Sequence, residues 1–457
     1  TMVLSLVPST LVTSALAADV SAVNGEVTFD TSSGEANLST NGSYMLSGTL
    51  DGKIIKITNK AQVLLYLKNV EMTAATSPIQ VESGSSLVIV VDDNSVNTIT
   101  CTAKEANDDN GGMTAGIYVP DGASLTIDAP DNGDGSGKLT VTGGYGGAGI
   151  GGKAAVGTVA GQTASSGSEG KTTYYTDLNV PHDNTVSKMP KGGAAGAGGE
   201  QGKAAENAGN VTILNGVISA KGGYGGAGIG GGMGAEGGAG EKGTVGDNSD
   251  SKKMTSYVGI AQRDAVSSWD GDWGGAGGGA GGNGGTGGTG GAAGNITIAG
   301  GSVSAEAGDR AAAIGGGAGG PGGTPGKGAD GGYDIYRYTD YGTVDKSTFH
   351  KRPVATYDEA GNTKVGKWDT WPSWGDAKIG RFTYNQNAAN DYLNWLYVSG
   401  LGGNGGRGAD GQNGRGGAGG GGGNITISGG TVTTRGSVKI GGGLNGADDI
   451  TVRVEST

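Results

Sequence analysis

The 457-residue chain has one cysteine, two histidines, three phenylalanines and ten prolines, and only 16% of its residues are charged. A single thiol, Cys101, excludes an internal disulfide framework, and His182 and His350 are too few for a histidine-based metal centre. No basic run occurs and the formal net charge is −12, which argues against nucleic acid and anionic membrane as partners. No segment past the first residues approaches the roughly 18 to 20 apolar residues of a membrane-spanning helix, so no membrane insertion is expected. What the chain has instead is glycine, 103 residues of it. That is too much for one compact core, and too irregular over the whole length for collagen. Stability has to come from packing and backbone hydrogen bonds, with hard cations as a further source.

The glycine is organised. The decapeptide GGYGGAGIGG at 143–152 recurs unchanged at 222–231, so this is a repeat protein. Short segments of one design accompany it: KLTVTGG at 138–144, NVTILNGVISA at 210–220, NITIAGGSVSA at 295–305 and NITISGGTVTT at 424–434. The last three each lead to an Ile-Gly-Gly-Gly, at Ile229, Ile314 and Ile440. These three start about 85 and about 129 residues apart, so long insertions interrupt a regular solenoid.

Between 25 and 142 the chain reads as short strands rich in Val, Ile, Leu and Thr, separated by Gly, Asn, Asp and Ser turns. Strand centres fall about 8 to 12 residues apart, and three such strands make one coil. Stacking coils at the interstrand spacing of ~4.8 Å pairs every strand with its counterparts above and below. Ile55, Ile57, Leu65, Leu67, Leu87 and Ile89 are the expected inward ladders. The expected fold is all-β, a right-handed parallel β-helix with long glycine-rich insertions forming polyproline-II-type arms; a β-sandwich is the rival.

The segments YMLSGTLDGKIIKI at 44–57, VLLYLKNVEMTAATSPIQVESGSSLVIVVDDNSVNTIT at 63–100, and GIYVPDGASLTI followed by GSGKLTVTGG carry a resemblance. They are similar to the secreted right-handed parallel β-helix proteins described as carbohydrate-binding domain-containing, of polysaccharide- and cellulose-adhesion type. The resemblance covers roughly residues 40 to 152 well and returns weakly in the later N-[VI]-T-I-x-x-G coils. It implies a secreted, non-catalytic polysaccharide binder that often uses calcium. The glycine-rich insertions depart from that pattern.

The expected organisation follows. Residues 1–18, ending in the small-x-small Ala15-Leu16-Ala17, read as the back of a secretion signal, and 19–152 as the first coils. Insertions occupy 153–209, 232–294 and 318–423, separated by coils at 210–231 and 295–317 and followed by a last coil at 424–457. On the returning flank of the third insertion Gly402, Gly405, Gly408, Gly411, Gly414, Gly417, Gly420 and Gly423 keep an unbroken period of three. That is the period of a polyproline-II helix, whose backbone donors and acceptors are unpaired within the strand. Flexible linkers are the alternative, but a linker needs no register.

The insertion middles carry the aromatics. Trp368, Trp371, Trp374, Tyr384 and Trp395 in the third are candidate ligand-binding residues, because aromatic faces beside polar groups suit sugar rings or a protein partner. A small satellite core holding the tip together is the other reading. Asp128, Asp131 and Asp134 are candidate calcium ligands, at a spacing that loosely resembles a calcium loop. Asp and Asn also belong at turns for backbone reasons, and no catalytic constellation stands out, so no enzyme is expected. Three functions are carried forward: a secreted or cell-surface polysaccharide-binding adhesion protein; a structural surface or filament protein self-associating through β-helix ends and arms; and an ice-binding protein, prompted by Thr286 and Thr289.

Overall fold

A computed structural model describes residues 25–130, 134–170, 191–247, 276, 278–331 and 407–445, with the backbone of Thr356–Tyr357 and Thr363–Lys364. The expected signal remnant and the tryptophan-bearing tip lie outside these residues. The described chain contains no helix and is built on two parallel sheets, one of 13 strands and one of 8.

The larger sheet has two faces. Its strand Gln62–Ala74 pairs through its first half with Ser86–Val91 and through its second half with Val96–Cys101. Each later turn of chain then supplies one strand to each face and one to the smaller sheet. Ser124–Asp128, Lys138–Thr142 and Ile150–Gly151 pair in parallel with Asn210–Ile213, Val217–Lys221 and Ile229–Gly230 of the next turn. These pair in turn with Asn295–Ile298, Ser302–Glu306 and Ala312–Gly315, and those with Asn424–Ile427, Thr431–Arg435 and Val438–Gly441. This stacking is what a parallel solenoid requires.

Alternation along each strand sends every second side chain inward, and identical register stacks like on like. On the smaller sheet Ile55, Ile79, Ile117, Ile150, Ile229, Ile314 and Ile440 form one ladder. All are fully buried except Ile440, which is 46% exposed in the last described turn. Burial of each side chain contributes on the order of 1.5–3 kcal/mol, so a narrow core adds up along the stack. The expected inward residues Ile55, Ile57, Leu65, Leu67, Leu87 and Ile89 are all in this core.

The recurring Ile-Gly step has a steric cause. Gly151, Gly230 and Gly315 have φ of 131°, 139° and 141°, and a Cβ on each would strike the carbonyl of Gly230, Gly315 and Gly441 in the following turn. Only glycine suits both requirements. From this step the chain leaves the coils, and it returns just before the next Asn-[Val/Ile]-Thr strand.

The flanks of the insertions run side by side, tied by backbone hydrogen bonds three residues apart. Gly408, Gly411, Gly414, Gly417 and Gly420 donate to the carbonyls of Ala329, Gly326, Gly323, Gly320 and Gly317 over 2.8–2.9 Å. On the second returning flank the N–H groups of Gly279, Ala280 and Gly281 donate to Thr244, Ser168 and Ala409, each on a different flank. The next triplet, Gly282, Asn283 and Gly284, repeats this with Glu241, Ser165 and Gln412. Three successive donors therefore find three neighbours, and the glycine register marks where neighbours come too close for a side chain.

Candidate functional site

The strands of the smaller sheet also have an outward row, in which Lys56 of Ile54–Ile57 stands beside Gln80 of Ile79–Val81, and Gln80 beside Tyr118 of Ile117–Tyr118. These three form the floor of a groove of about 580 Å³. One wall consists of the residues that follow the strands: Thr58, then Glu82 and Ser83, then Pro120 and Asp121. Met113 and Glu206 close the groove elsewhere.

Glu206 comes from the returning flank of the first insertion, 88 residues after Tyr118. That flank is stitched onto the coil beside the groove: Gly209 N–H donates to the Val119 carbonyl over 2.8 Å and Asp121 N–H to the Asn207 carbonyl over 3.0 Å. The Tyr118 hydroxyl donates to Glu206 Oε2 over 2.7 Å. Lys153 Nζ lies 5.6 Å from the Tyr118 ring centroid and 3.6 Å from Glu206 Oε1. Burial, and then the Glu206 carboxylate, push the Tyr118 hydroxyl pKa well above its ordinary value. The phenol is therefore a fixed, neutral part of the floor.

The remaining groups are held by local bonds. Lys56 Nζ sits 2.7 and 2.8 Å from the two oxygens of Glu35, one turn earlier. Gln80 Nε2 donates to the Ser77 carbonyl, Ser83 Oγ to the Asp121 carbonyl, and Asn59 N–H to Glu82 Oε2. The groove thus has a rigid floor combining one aromatic edge, one amide and one ammonium group, under a polar rim. Such a lining suits a carbohydrate, which needs apolar contact and many hydroxyl partners.

A second aromatic feature belongs to the repeated decapeptide. Tyr145 and Tyr224, one turn apart, stack with ring centroids 5.4 Å apart and planes at 16°. Their facing rings hold each other, and burial raises the Tyr145 pKa.

The sequence-derived candidates fall elsewhere. Trp368, Trp371, Trp374, Tyr384, Trp395 and Asp131 lie outside the described residues. Asp128 Oδ1 accepts the Ala129 N–H over 2.9 Å, and Asp134 Oδ1 accepts the Ser136 N–H over 2.9 Å. Asp93 reaches the same turn, its carboxylate accepting the N–H groups of Asp134 and Gly135. Hydrogen bonds from Ser136 lower the Asp134 pKa. Among the described residues these carboxylates bind turn amides, and no group of three or more potential ligands is assembled for a metal ion. Tyr118, Lys153 and Glu206 were not singled out from the sequence. Tyr118 reads there as one more strand residue, and no local pattern announces a partner so distant.

A family model described as carbohydrate-binding domain-containing protein matches residues 32–313. No curated protein and no solved structure matches the chain. The matched span contains every residue of the groove and stops before the third insertion, which carries the candidate tryptophans Trp368, Trp371, Trp374 and Trp395.

Proposed function

We propose, from the premise that the chain belongs to the carbohydrate-binding domain-containing proteins, that it is a secreted or cell-surface adhesion protein that holds polysaccharide without cleaving it, in the groove floored by Lys56, Gln80 and Tyr118. The observation that carries this reading is that the family span, 32–313, encloses that groove and the insertion flank supplying Glu206. Parallel connections in one sheet are overwhelmingly right-handed, which supports reading the stacked turns as a right-handed β-helix. The three-direction hydrogen bonding of the flanks supports polyproline-II arms, a conformation with three residues per turn.

The test is affinity electrophoresis through gels containing neutral polysaccharides. Gln80→Trp fills the groove from its floor, with an expected loss of retention of at least about tenfold, the equivalent of ~1.4 kcal/mol, and an unchanged thermal transition. Retention of this variant equal to the parent's overturns the groove as the site. No reducing or unsaturated ends should appear in the polymer; their release at a rate dependent on this chain overturns the non-catalytic reading. The aromatic tip is a separate proposed contact. Trp368→Ala, Trp371→Ala and Trp374→Ala together should weaken retention if the tip also touches the polymer. Calcium at the turn of Asp128, Asp131 and Asp134 is proposed likewise: a chelator should lower the thermal transition, and an identical transition with and without it removes calcium from the account.

Assembly is the second reading. The strands Asn424–Ile427, Thr431–Arg435 and Val438–Gly441 pair with the preceding turn, and among the described residues nothing pairs with their other edges. Ile427 and Ile440 are 43% and 46% exposed there. A strand edge that stays unpaired templates further strands. Particle size against concentration tests it, with a monomer at all concentrations as the contrary result.

A further inference from the structure

The outward row that floors the groove changes character along the stack. Starting from the edge strand Glu35–Leu38 it reads Asn37, Lys56, Gln80, Tyr118, Gly151 and Gly230, one residue per turn. Asn37 is exposed, whereas Gly151 and Gly230 are buried although they lie on the outward side. The groove occupies only the three positions between, so it runs for two interstrand spacings, ~10 Å. Toward Asn37 the row ends at the edge of the sheet. Past Tyr118 the returning flank of the first insertion, bonded to the coil at Val119 and Asp121, sets Glu206 against the groove. One end is therefore open and the other is walled. Glu206 Oε2 accepts the Tyr118 O–H over 2.7 Å and Oε1 lies 3.6 Å from Lys153 Nζ, yet the side chain stays 56% exposed. A carboxylate has about four acceptor sites, so this one keeps capacity for a further donor.

We infer that this groove holds the end of a polysaccharide chain, not its middle, with Glu206 accepting a hydroxyl that a terminal sugar keeps and an internal one has spent on the glycosidic bond. The inference rests on the polysaccharide-binding reading and adds which part of the polymer is held. A chain lying along the row enters past Asn37 and Lys56, crosses Gln80 and stops at Tyr118 and Glu206. A few sugar rings fill that length. An internal segment would have to continue through Glu206 or turn out of the groove within a ring, which a stiff polymer resists. A hydrogen bond to an ionised acceptor is also roughly twice as strong as one between neutral groups, so the terminal hydroxyl adds affinity that no internal residue offers.

The full chain is tested by isothermal titration against three linear neutral polymers, pullulan, mixed-linkage β-glucan and glucomannan, each as two narrow fractions about tenfold apart in length. For every polymer that binds, the expected result is one protein per polymer chain in both fractions, with affinities per mole of chain that agree within about twofold. A number of bound proteins that rises with length, toward tenfold between the fractions, overturns the inference and leaves the polysaccharide-binding reading standing. Failure of all three, and of the neutral polysaccharides in the gels, overturns that reading itself. Glu206→Gln keeps the size of the wall and should lose about fivefold in affinity for both fractions, whereas Glu241→Gln, exposed on another flank, should lose less than about twofold. Equal affinities of these two variants remove Glu206 from the site. Tyr118→Phe deletes the bond between floor and wall but leaves the carboxylate, so it should lose less than Glu206→Gln; an equal loss reduces Glu206 to positioning Tyr118 and overturns its contact with the sugar.

Discussion

Asn97 shows how single residues decide this structure. It is fully buried in a register otherwise filled by Leu139, Ile218 and Val303 of later turns. Its Oδ1 accepts the Val70 N–H over 3.0 Å and its Nδ2 donates to Ser95 Oγ and the Lys138 carbonyl. Val70 follows the bulge at Asn69, where the strand Gln62–Ala74 passes from one face to the other. Asn97 therefore replaces the sheet partner that the bulge removes. Asn97→Leu matches the apolar ladder yet strands the Val70 amide, so chemical denaturation should show a loss of about 1–3 kcal/mol; an unchanged or raised midpoint contradicts this role. Tyr118 gives the pH dependence. Its folded-state pKa is raised, so its contribution to stability is complete below the unfolded value near ~10 and is lost as pH rises through the folded value. Tyr118→Phe should unfold with a flatter pH dependence above about pH 10 than the parent; parallel profiles for the two proteins refute the assignment.

At the scale of elements, the coils were legible in the sequence because their period is short and their inward residues are large. Ile55, Leu87 and Ile89 stand out by alternation alone. The strand Ser124–Asp128 was less visible as a repeat: it occupies the register of Asn210–Ile213 but begins with Ser-Leu where the later copies read Asn-Val or Asn-Ile. The returning flanks were legible by their period of three, although no sequence rule names which flank pairs with which. The glycines there act by what they leave out. A Cβ on Gly411 would meet the Gly282 carbonyl, whereas Asn413 is exposed. Gly411→Val should therefore lower the thermal transition strongly while Asn413→Val changes it little, and equal effects contradict close packing of the flanks. Amide exchange gives the same distinction without mutation. Gly408, Gly411, Gly414, Gly417 and Gly420 should be protected to levels near those of the coils, because their N–H groups are bonded to a neighbouring flank. Exchange at unfolded-peptide rates excludes a bonded array.

For the whole molecule, the coils and insertions act together, since Glu206 belongs to an insertion and reaches Tyr118 on a coil. This is why the site was not legible: Glu206 comes 88 residues after the Tyr118 it holds, and the floor residues look like ordinary outward strand positions. Aromatic content pointed instead to the third insertion, beyond the family span of 32–313. In the proposed function polysaccharide lies on the outward side of the smaller sheet, against Lys56, Gln80, Tyr118 and Glu206. Amide hydrogen exchange of the full chain, with and without a polysaccharide it retains, tests that placement most directly. Peptides covering 56–60, 80–85, 117–123 and 203–209 should gain protection together while the opposite faces of the stack are unchanged. Protection confined to 333–397, with none at those four segments, would contradict it.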